Sequence, residues 1–281
     1  MHVRIVTDSS TNIPDEILAR LDIVEAPAIV TFGDESFIWK RDISHEAFYE
    51  RLASADKLPT TAGPSPQLFL EAYRRAAGEG ADEIIAVTVS SRASGTHSSA
   101  VVAVEQSPVP VHVWDAQHIS MAAGWQAIAA AEMVREGASV AAILARLAVV
   151  RSNVHLAFTP ATLKYIIASG RVPRLRGTIG ELLNIKPVMT TIDGQLEPAA
   201  QVRSQRKAQE QVLELVAAPV GDAPVRLAVG HCNVPNEAAE FAERVRSRLN
   251  VREFVMVELG LLAALGGPGV LGVALHKLED A

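Results

Sequence analysis

With 281 residues, the chain exceeds the usual size of one compact domain, so it has room for two domains or one large α/β domain. Hydrophobic residues make up 49% of it, which is ample for a core. The formal net charge of −6 argues against a general nucleic-acid binder, because phosphate contacts need clustered cations. The single cysteine, Cys232, excludes an internal disulfide and a metal site built from several cysteines.

The apolar segments of the chain are short. The longest candidate for a membrane span, residues 260–274, is interrupted by the sequence Gly-Gly-Pro-Gly at 266–269, and no run reaches the length of a bilayer. The N-terminus enters a strand pattern directly at residues 1–6, which predicts that no signal peptide is present. We therefore expect a cytoplasmic protein.

Strand and helix patterns alternate along the first half of the chain. β-branched runs at residues 3–6, 84–89 and 109–114 predict strands, and helical patterns follow at 15–21, 98–104 and 121–135. This alternation favours a parallel sheet with helices on both faces. We predict a first domain over residues 1–152.

The second half of the chain has a different pattern. A hairpin signal, Asp193-Gly194, separates two strand patterns, and helices are predicted at residues 178–183, 204–217 and 236–249. The sequence therefore predicts an N-terminal parallel-sheet α/β domain, followed by a smaller α+β domain with a mixed sheet over residues 153–281.

Three loops rich in Ser and Thr precede helices, at residues 7–14, 58–66 and 90–97. The first and third follow predicted strands, so they are expected at the carboxyl edge of the sheet, where open α/β folds bind ligands. Small residues and free N–H groups at a helix start suit an anion. The alternative is that the hydroxyls merely cap the helices.

Asp8 stands at the end of the first strand pattern and has two interpretations. Such a carboxylate is either a metal ligand or catalytic acid, or an acceptor for the N–H groups of its own loop, and we favour the second. A serine hydrolase is disfavoured because Ser94-Gly95 lacks the spacing of a nucleophile elbow, although His97 is close enough in sequence to reach Ser94. No P-loop and no His-Glu-x-x-His pattern is present.

Six motifs together resemble the DegV family, the bacterial fatty-acid-binding proteins known as FakB. They are TDSSTNIP at residues 7–14, PTTAGPS at 59–65, SSRASGTHSSA at 90–100, SGR at 169–171, IKP at 185–187 and GPGVLG at 267–272. Each motif alone is weak, but their order and their spread over nearly the whole chain are specific.

The resemblance implies that Thr61 and Ser94 hold the head group of a fatty acid. Hydroxyls and loop N–H groups can bind a carboxylate without a buried cation. The predicted ligand-binding residues are Thr61, Ser94, Gly95, Ser9 and Gly267. We expect no catalytic residue, no metal and no cofactor.

The resemblance also implies a carrier rather than an enzyme: a non-catalytic lipid-binding subunit that presents a long-chain fatty acid to a separate fatty-acid kinase, which forms an acyl phosphate for phospholipid synthesis. Arg171 would belong to the kinase-docking surface, together with Arg174 and Arg176 in the same basic loop. The alternative is a solvated loop whose arginines pair weakly with nearby acids. Transient contact with a membrane is compatible with this role. The rival class is a phosphotransferase or hydrolase subunit that acts on a small polar substrate.

The sequence departs from the family pattern at three places. Leu265 stands where the family has a histidine near the head group, Ala62-Gly63 replaces Ser-Gln after Thr61, and Ser169 replaces the first Gly of Gly-Gly-Arg. The missing histidine removes a polar partner of the head group. His97, His118 and His231 are the candidates to replace it.

Overall fold

The computed structural model of the chain describes residues 2–172 and 185–279. Its strands are β1 (Val3–Asp8), β2 (Val24–Ala26), β3 (Ile29–Phe32), β4 (Glu35–Ile38), β5 (Thr60–Ala62), β6 (Glu83–Thr88), β7 (Val111–Asp115), β8 (Val154–Thr159), β9 (Lys186–Ile192), β10 (Gln195–Val202), β11 (Pro224–His231), β12 (Asn250–Glu258) and β13 (Leu271–Lys277). Its α-helices are α1 (Asp15–Arg20), α2 (His45–Ser54), α3 (Pro66–Gly78), α4 (Thr96–Val104), α5 (Ser120–Arg135), α6 (Val140–Ser152), α7 (Leu163–Ser169), α8 (Gln205–Ala217), α9 (Pro235–Arg246) and α10 (Ala263–Gly266). None of these helices is long and apolar enough to cross a membrane.

The chain divides into two compact units. The first comprises Met1–Ser44 and Thr61–Asn153, and the second comprises His45–Thr60 and Val154–Ala281. The second unit therefore takes in α2 from the first half of the chain, and it is not the smaller of the two.

The first unit is built on a parallel sheet in the order β2-β1-β6-β7, as predicted. Ile84 and Ala86 of β6 are buried against α3 and α4, while Ile85 and Val87, which point to the opposite face, are equally buried. Helix α5 packs against β1 and β6, and its residues 120–131 are all buried. The helices therefore cover both faces of the sheet.

The carboxyl ends of the central strands meet at one edge of this sheet. The register pairs Thr7 with Val87 and Thr88 with Asp115, so β1, β6 and β7 end side by side. The loops that follow β1 and β6 therefore emerge at the same edge, which confirms the expectation for these two hydroxyl-rich loops. The remaining hydroxyl-rich loop, at residues 58–66, was predicted to be irregular but contains the short strand β5 of a separate sheet, β4-β3-β5.

The second unit contains a six-stranded sheet in the order β10-β9-β8-β13-β11-β12. Strands β11 and β12 are parallel and the other neighbours are antiparallel, so the sheet is mixed, as predicted. Its core packs the apolar faces of α8 and α9 on the sheet through Val212, Phe241, Leu227 and Val273. The predicted fold class, a parallel-sheet α/β domain followed by a domain with a mixed sheet, is confirmed.

Strand β13 lies at the centre of the mixed sheet and was not predicted. Residues 271–276 are all buried, and β8 and β11 flank the strand. A strand buried on both faces lacks the alternation of apolar and polar residues that marks a half-exposed strand. The predicted helix over residues 178–183 lies outside the described residues.

Candidate functional site

Asp8, the last residue of β1, joins the loop after β1 to the end of β6. Its carboxylate is fully buried and accepts hydrogen bonds from the N–H groups of Ser10 and Val89, both at 3.0 Å. Burial raises the pKa of Asp8 to about 6, because the loss of hydration outweighs the hydrogen bonds that favour the charged form. These bonds support the interpretation of Asp8 as an acceptor for loop N–H groups. Among the described residues, no three His, Cys, Asp or Glu side chains are arranged to hold a metal ion.

Ser9 is buried in the same loop, and its hydroxyl accepts a hydrogen bond from Ala28 N at 3.0 Å. The neighbouring threonines also bond within the fold: Thr7 Oγ1 donates to Val87 O at 2.8 Å, and Thr11 Oγ1 donates to the last carbonyl of β1 at 2.8 Å. The acceptor side of the Ser9 hydroxyl is thus engaged in holding the loop. Its predicted contact with a ligand stays a prediction.

The loop after β6 turns back on itself before α4 begins. The N–H groups of Ala93 and Ser94 both donate to Ser90 O at 3.1 Å. Ser91 donates through its N–H and its hydroxyl to the Asp115 carboxylate, at 3.2 and 2.5 Å. Since Asp115 ends β7, the loop is tied to the neighbouring strand, and Ser94 is held half-buried at its tip.

Ser94 and Thr96 form a hydroxyl pair at the N-terminus of α4. Their Oγ atoms lie 2.8 Å apart, and Thr96 N donates to Ser94 Oγ at 3.3 Å. Gly95 between them is the exposed N-cap residue and provides no side-chain cap for the helix. The first-turn N–H groups of a helix carry partial positive charge, so this position favours an anion.

Gly63 brings the loop that contains Thr61 against this pair. A Cβ atom at Gly63 would lie 2.1 Å from Thr96 Oγ1 and 3.2 Å from Thr96 Cα, so no side chain fits there without displacing Thr96. Thr61, half-buried in β5, lies two residues before Gly63. The structure therefore brings together the loops of Thr61 and Ser94. Sequence reasoning did not single out Thr96, although its place in the first turn of a helix after Ser94 was a signal.

His97 does not contact Ser94. Its Nδ1 lies 3.0 Å from Thr88 Oγ1, whereas the hydroxyl of Ser94 is paired with Thr96. A serine nucleophile needs a base within hydrogen-bonding distance of its hydroxyl. The geometry therefore does not support Ser94 and His97 as a catalytic pair.

Gly267, predicted to bind the ligand, belongs to the second unit. Its φ angle is +84°, and a Cβ atom would lie 2.5 Å from Tyr165 Cδ2, so both the backbone conformation and the packing require glycine. Leu265, which stands where the family pattern has a histidine, is half-buried. Packing within the unit explains Gly267, and its predicted contact with a ligand stays a prediction.

The second unit contains a polar cavity of about 470 Å³, lined by His45, Glu46, Tyr49, Glu50, Asn233 and Glu258. Glu258 accepts hydrogen bonds from Tyr49 OH at 2.5 Å, Asn233 N at 3.1 Å and Gly260 N at 3.1 Å. His231 Nδ1 lies 3.0 Å from Glu258 without the geometry of a hydrogen bond. Burial alone would raise the pKa of Glu258, but these contacts lower it below its ordinary value. The lining is unlike that of an acyl tunnel.

Arg171, predicted to dock a partner, is half-buried after α7. Its Nη1 donates to Ser169 O at 3.3 Å, and burial lowers the pKa of its guanidinium. Within residues 2–172 and 185–279, no carboxylate is paired with Arg171. Arg174 and Arg176 lie outside the described residues.

A parallel-sheet unit with hydroxyl-rich loops at its carboxyl edge, together with a mixed-sheet unit, defines this chain as a two-domain α/β protein. The chain belongs to the DegV family. The family model, described as "Uncharacterised protein, DegV family", matches residues 2–278. A DegV domain-containing protein of Streptomyces coelicolor is 36% identical over 98% of this chain and 99% of its own length.

Solved structures of the family share the whole fold. A DegV family protein from Thermus thermophilus, described as binding fatty acid, has a TM-score of 0.91 and 31% identity over 99% of this chain and 100% of its own. DegV from Bacillus subtilis, described as a fatty acid binding protein, has a TM-score of 0.89 and 28% identity over the same shares of the two chains.

Proposed function

We propose that this protein is a fatty-acid-binding carrier, which holds a long-chain fatty acid by its carboxylate. The observation that carries the proposal is the pairing of Ser94 with Thr96 at the N-terminus of α4, against Gly63 of the loop that contains Thr61. Hydroxyl donors and first-turn N–H groups together can bind a carboxylate. The fatty-acid binding described for the relatives from T. thermophilus and B. subtilis supports the class of ligand.

In this proposal the head group lies at Thr61, Ser94 and the N–H group of Gly95. Ser9 and Gly267 complete the proposed set of ligand-binding residues. The proposed ligand loops lie within residues 1–152, and the proposed docking loop lies within residues 153–281.

The proposed carrier has no catalytic role of its own. The Ser94 hydroxyl is paired with Thr96 and not with a base, so nothing in this pair activates it as a nucleophile. The polar cavity of the second unit is the feature that a small polar substrate would require. However, the oxygens of Glu258 are engaged by Tyr49 and by two backbone N–H groups, which indicates a structural role, so we propose no second function.

Lipid extraction and binding measurements test the carrier. Mass spectrometry of the purified protein should find a co-purifying fatty acid, and delipidated protein should bind palmitate or oleate by calorimetry. Thr61→Ala and Ser94→Ala each remove a hydrogen bond to a charged group, so each should weaken binding about ten- to a hundredfold. Ser98→Ala is the matched control, because Ser98 is an exposed serine in the first turn of α4, the helix that follows Ser94.

Two results would contradict the proposal. Protein that is free of lipid after gentle purification and takes up neither palmitate nor oleate is not a fatty-acid carrier. Binding that Thr61→Ala and Ser94→Ala leave at the wild-type level would place the head group elsewhere.

The second part of the proposal is that the carrier presents the carboxylate to a separate fatty-acid kinase for acyl phosphate formation, with Arg171, Arg174 and Arg176 on the docking surface. Electrostatic complementarity raises association rates and is screened by salt. Arg171→Ala should therefore lower acyl-phosphate formation by the cognate kinase at limiting carrier, and added salt should reproduce part of this loss. The affinity for fatty acid should not change.

Arg203→Ala is the control for charge, since Arg203 is exposed in the same unit. If Arg203→Ala lowers acyl-phosphate formation equally, the effect of Arg171→Ala is explained by net charge alone. A loss of fatty-acid affinity with Arg171→Ala, at unchanged kinase turnover, would refute the docking role.

A further inference from the structure

The burial of Thr96 constrains the direction of its hydroxyl hydrogen bond. Thr96 is fully buried, and within the described residues Ser94 Oγ, at 2.8 Å, is the partner of its Oγ1 atom. A buried hydroxyl proton without an acceptor costs free energy, so the proton of Thr96 points at Ser94 Oγ. Thr96 is therefore the donor of this pair.

The direction of the Thr96 hydroxyl proton determines which hydrogen bonds Ser94 can still form. A serine hydroxyl has one proton and two lone pairs. Ser94 Oγ accepts from Thr96 Oγ1 and, at 3.3 Å, from Thr96 N, so both lone pairs are engaged and the proton remains. Ser94 is half-buried, which leaves one side of its hydroxyl open to a ligand.

We infer that Thr96 is a positioning residue that makes the Ser94 hydroxyl a hydrogen-bond donor, so that the head-group position takes an acceptor such as a carboxylate and rejects an ammonium group. The inference rests on the proposed function and adds a residue that determines its specificity. Ser94 would contact the ligand, whereas Thr96 would act through Ser94.

Gly63 is the second part of this arrangement. Because a Cβ atom at Gly63 would lie 2.1 Å from Thr96 Oγ1, a side chain there would push the Thr96 hydroxyl out of its place beside Ser94. A substitution at Gly63 therefore perturbs the orientation of Ser94 without changing Ser94 or Thr96.

The test compares two ligands that share a 16-carbon chain, palmitate and hexadecylamine, on delipidated full-length variants. Thr96→Val keeps the shape of the side chain and removes its hydroxyl, so palmitate should bind about three- to tenfold more weakly. The affinity for hexadecylamine should rise relative to the affinity for palmitate, because Ser94 Oγ can then accept a hydrogen bond from the ammonium group. Thr96→Ser keeps the hydroxyl and should retain the wild-type preference for palmitate.

Gly63→Ala should resemble Thr96→Val in both measurements. Gly78→Ala is its matched control, because Gly78 lies in the adjoining helix α3 and a Cβ atom there meets nothing within 4 Å. The double variant Ser94→Ala/Thr96→Val should bind palmitate as weakly as Ser94→Ala alone, since Thr96 acts only through Ser94.

The outcomes separate this inference from the proposed function. If wild-type protein binds no fatty acid, or if Ser94→Ala has no effect, the proposed site itself is wrong. If wild type binds palmitate and Ser94→Ala weakens binding, but Thr96→Val retains both the affinity and the preference for palmitate, the role of Thr96 is refuted. Additive losses in the double variant would also refute it, because Thr96 would then act independently of Ser94.

Discussion

The buried carboxylate of Asp8 makes the stability of the first unit depend on pH. Burial raises its pKa from the ordinary 3.8 to about 6, so the folded protein binds this proton more tightly than the unfolded chain does. The contribution of Asp8 to the free energy of unfolding is therefore most favourable below pH 4. It is lost as the pH rises through 6. Asp8→Asn removes the ionisation and should remove this dependence.

The size of the effect follows from the shift. Each pKa unit corresponds to about 1.4 kcal/mol, so a rise of about two units corresponds to about 3 kcal/mol between pH 4 and pH 7. The amide of the Asn variant can accept from Ser10 N or Val89 N but not from both, which costs about 1 kcal/mol at every pH. The variant should thus be less stable than wild type at pH 4. Relative to wild type, it should gain about 3 kcal/mol by pH 7.

Tryptophan fluorescence is a suitable assay, because Trp39, Trp114 and Trp125 all belong to the first unit. Urea unfolding of both proteins from pH 4 to pH 8 gives the difference directly. Burial also raises the pKa of Glu25 to about 7, and the charge of Asp8 adds to this rise, so part of the measured difference comes from Glu25 wherever Asp8 is charged. Asp34→Asn, at an exposed turn, is the control. If the free energy of unfolding depends on pH in the same way for wild type and Asp8→Asn, the reasoning is wrong.

Two further predictions concern the second unit. Gly267→Ala should destabilise the protein by about 2 kcal/mol or more in thermal unfolding, because φ is positive and the new Cβ atom would clash with Tyr165. Gly221→Ala is the control and should cost less, since Gly221 has a φ of +55° but open space around its Cβ position. If the two variants lose the same stability, the clash with Tyr165 does not contribute. Tyr49→Phe removes the 2.5 Å hydrogen bond to Glu258 and should cost about 1.5 kcal/mol. The pKa of Glu258, followed by NMR, should rise, and an unchanged value would show that this bond contributes little.

Elements with local signals were predictable to within a few residues. Strand β1, predicted over residues 3–6, extends from Val3 to Asp8, and the hairpin at Asp193-Gly194 joins β9 to β10 as expected. Strand β13 was missed because it is buried on both faces and so lacks the alternation of apolar and polar residues. Helix α2 has a buried apolar face, Phe48 and Leu52, but nothing in the sequence indicated that it belongs to the second unit.

The sequence by itself determined the class of fold, the loops that carry Ser9, Thr61 and Ser94, and the family resemblance. Each of these depends on residues close together in the chain: strand patterns, turn residues and short motifs. Local order is enough for them because backbone conformation follows mainly from neighbouring residues.

Only the tertiary structure decided how these loops are joined. Asp8 contacts Val89 across 81 positions of the chain, and Gly63 lies against Thr96 although helix α3 and strand β6 separate them in sequence. Thr96 is fully buried beside Ser94, and no periodicity in the sequence encodes that burial. Such contacts depend on the register of β1 beside β6 and on how closely two backbones approach, and both are properties of the packed chain.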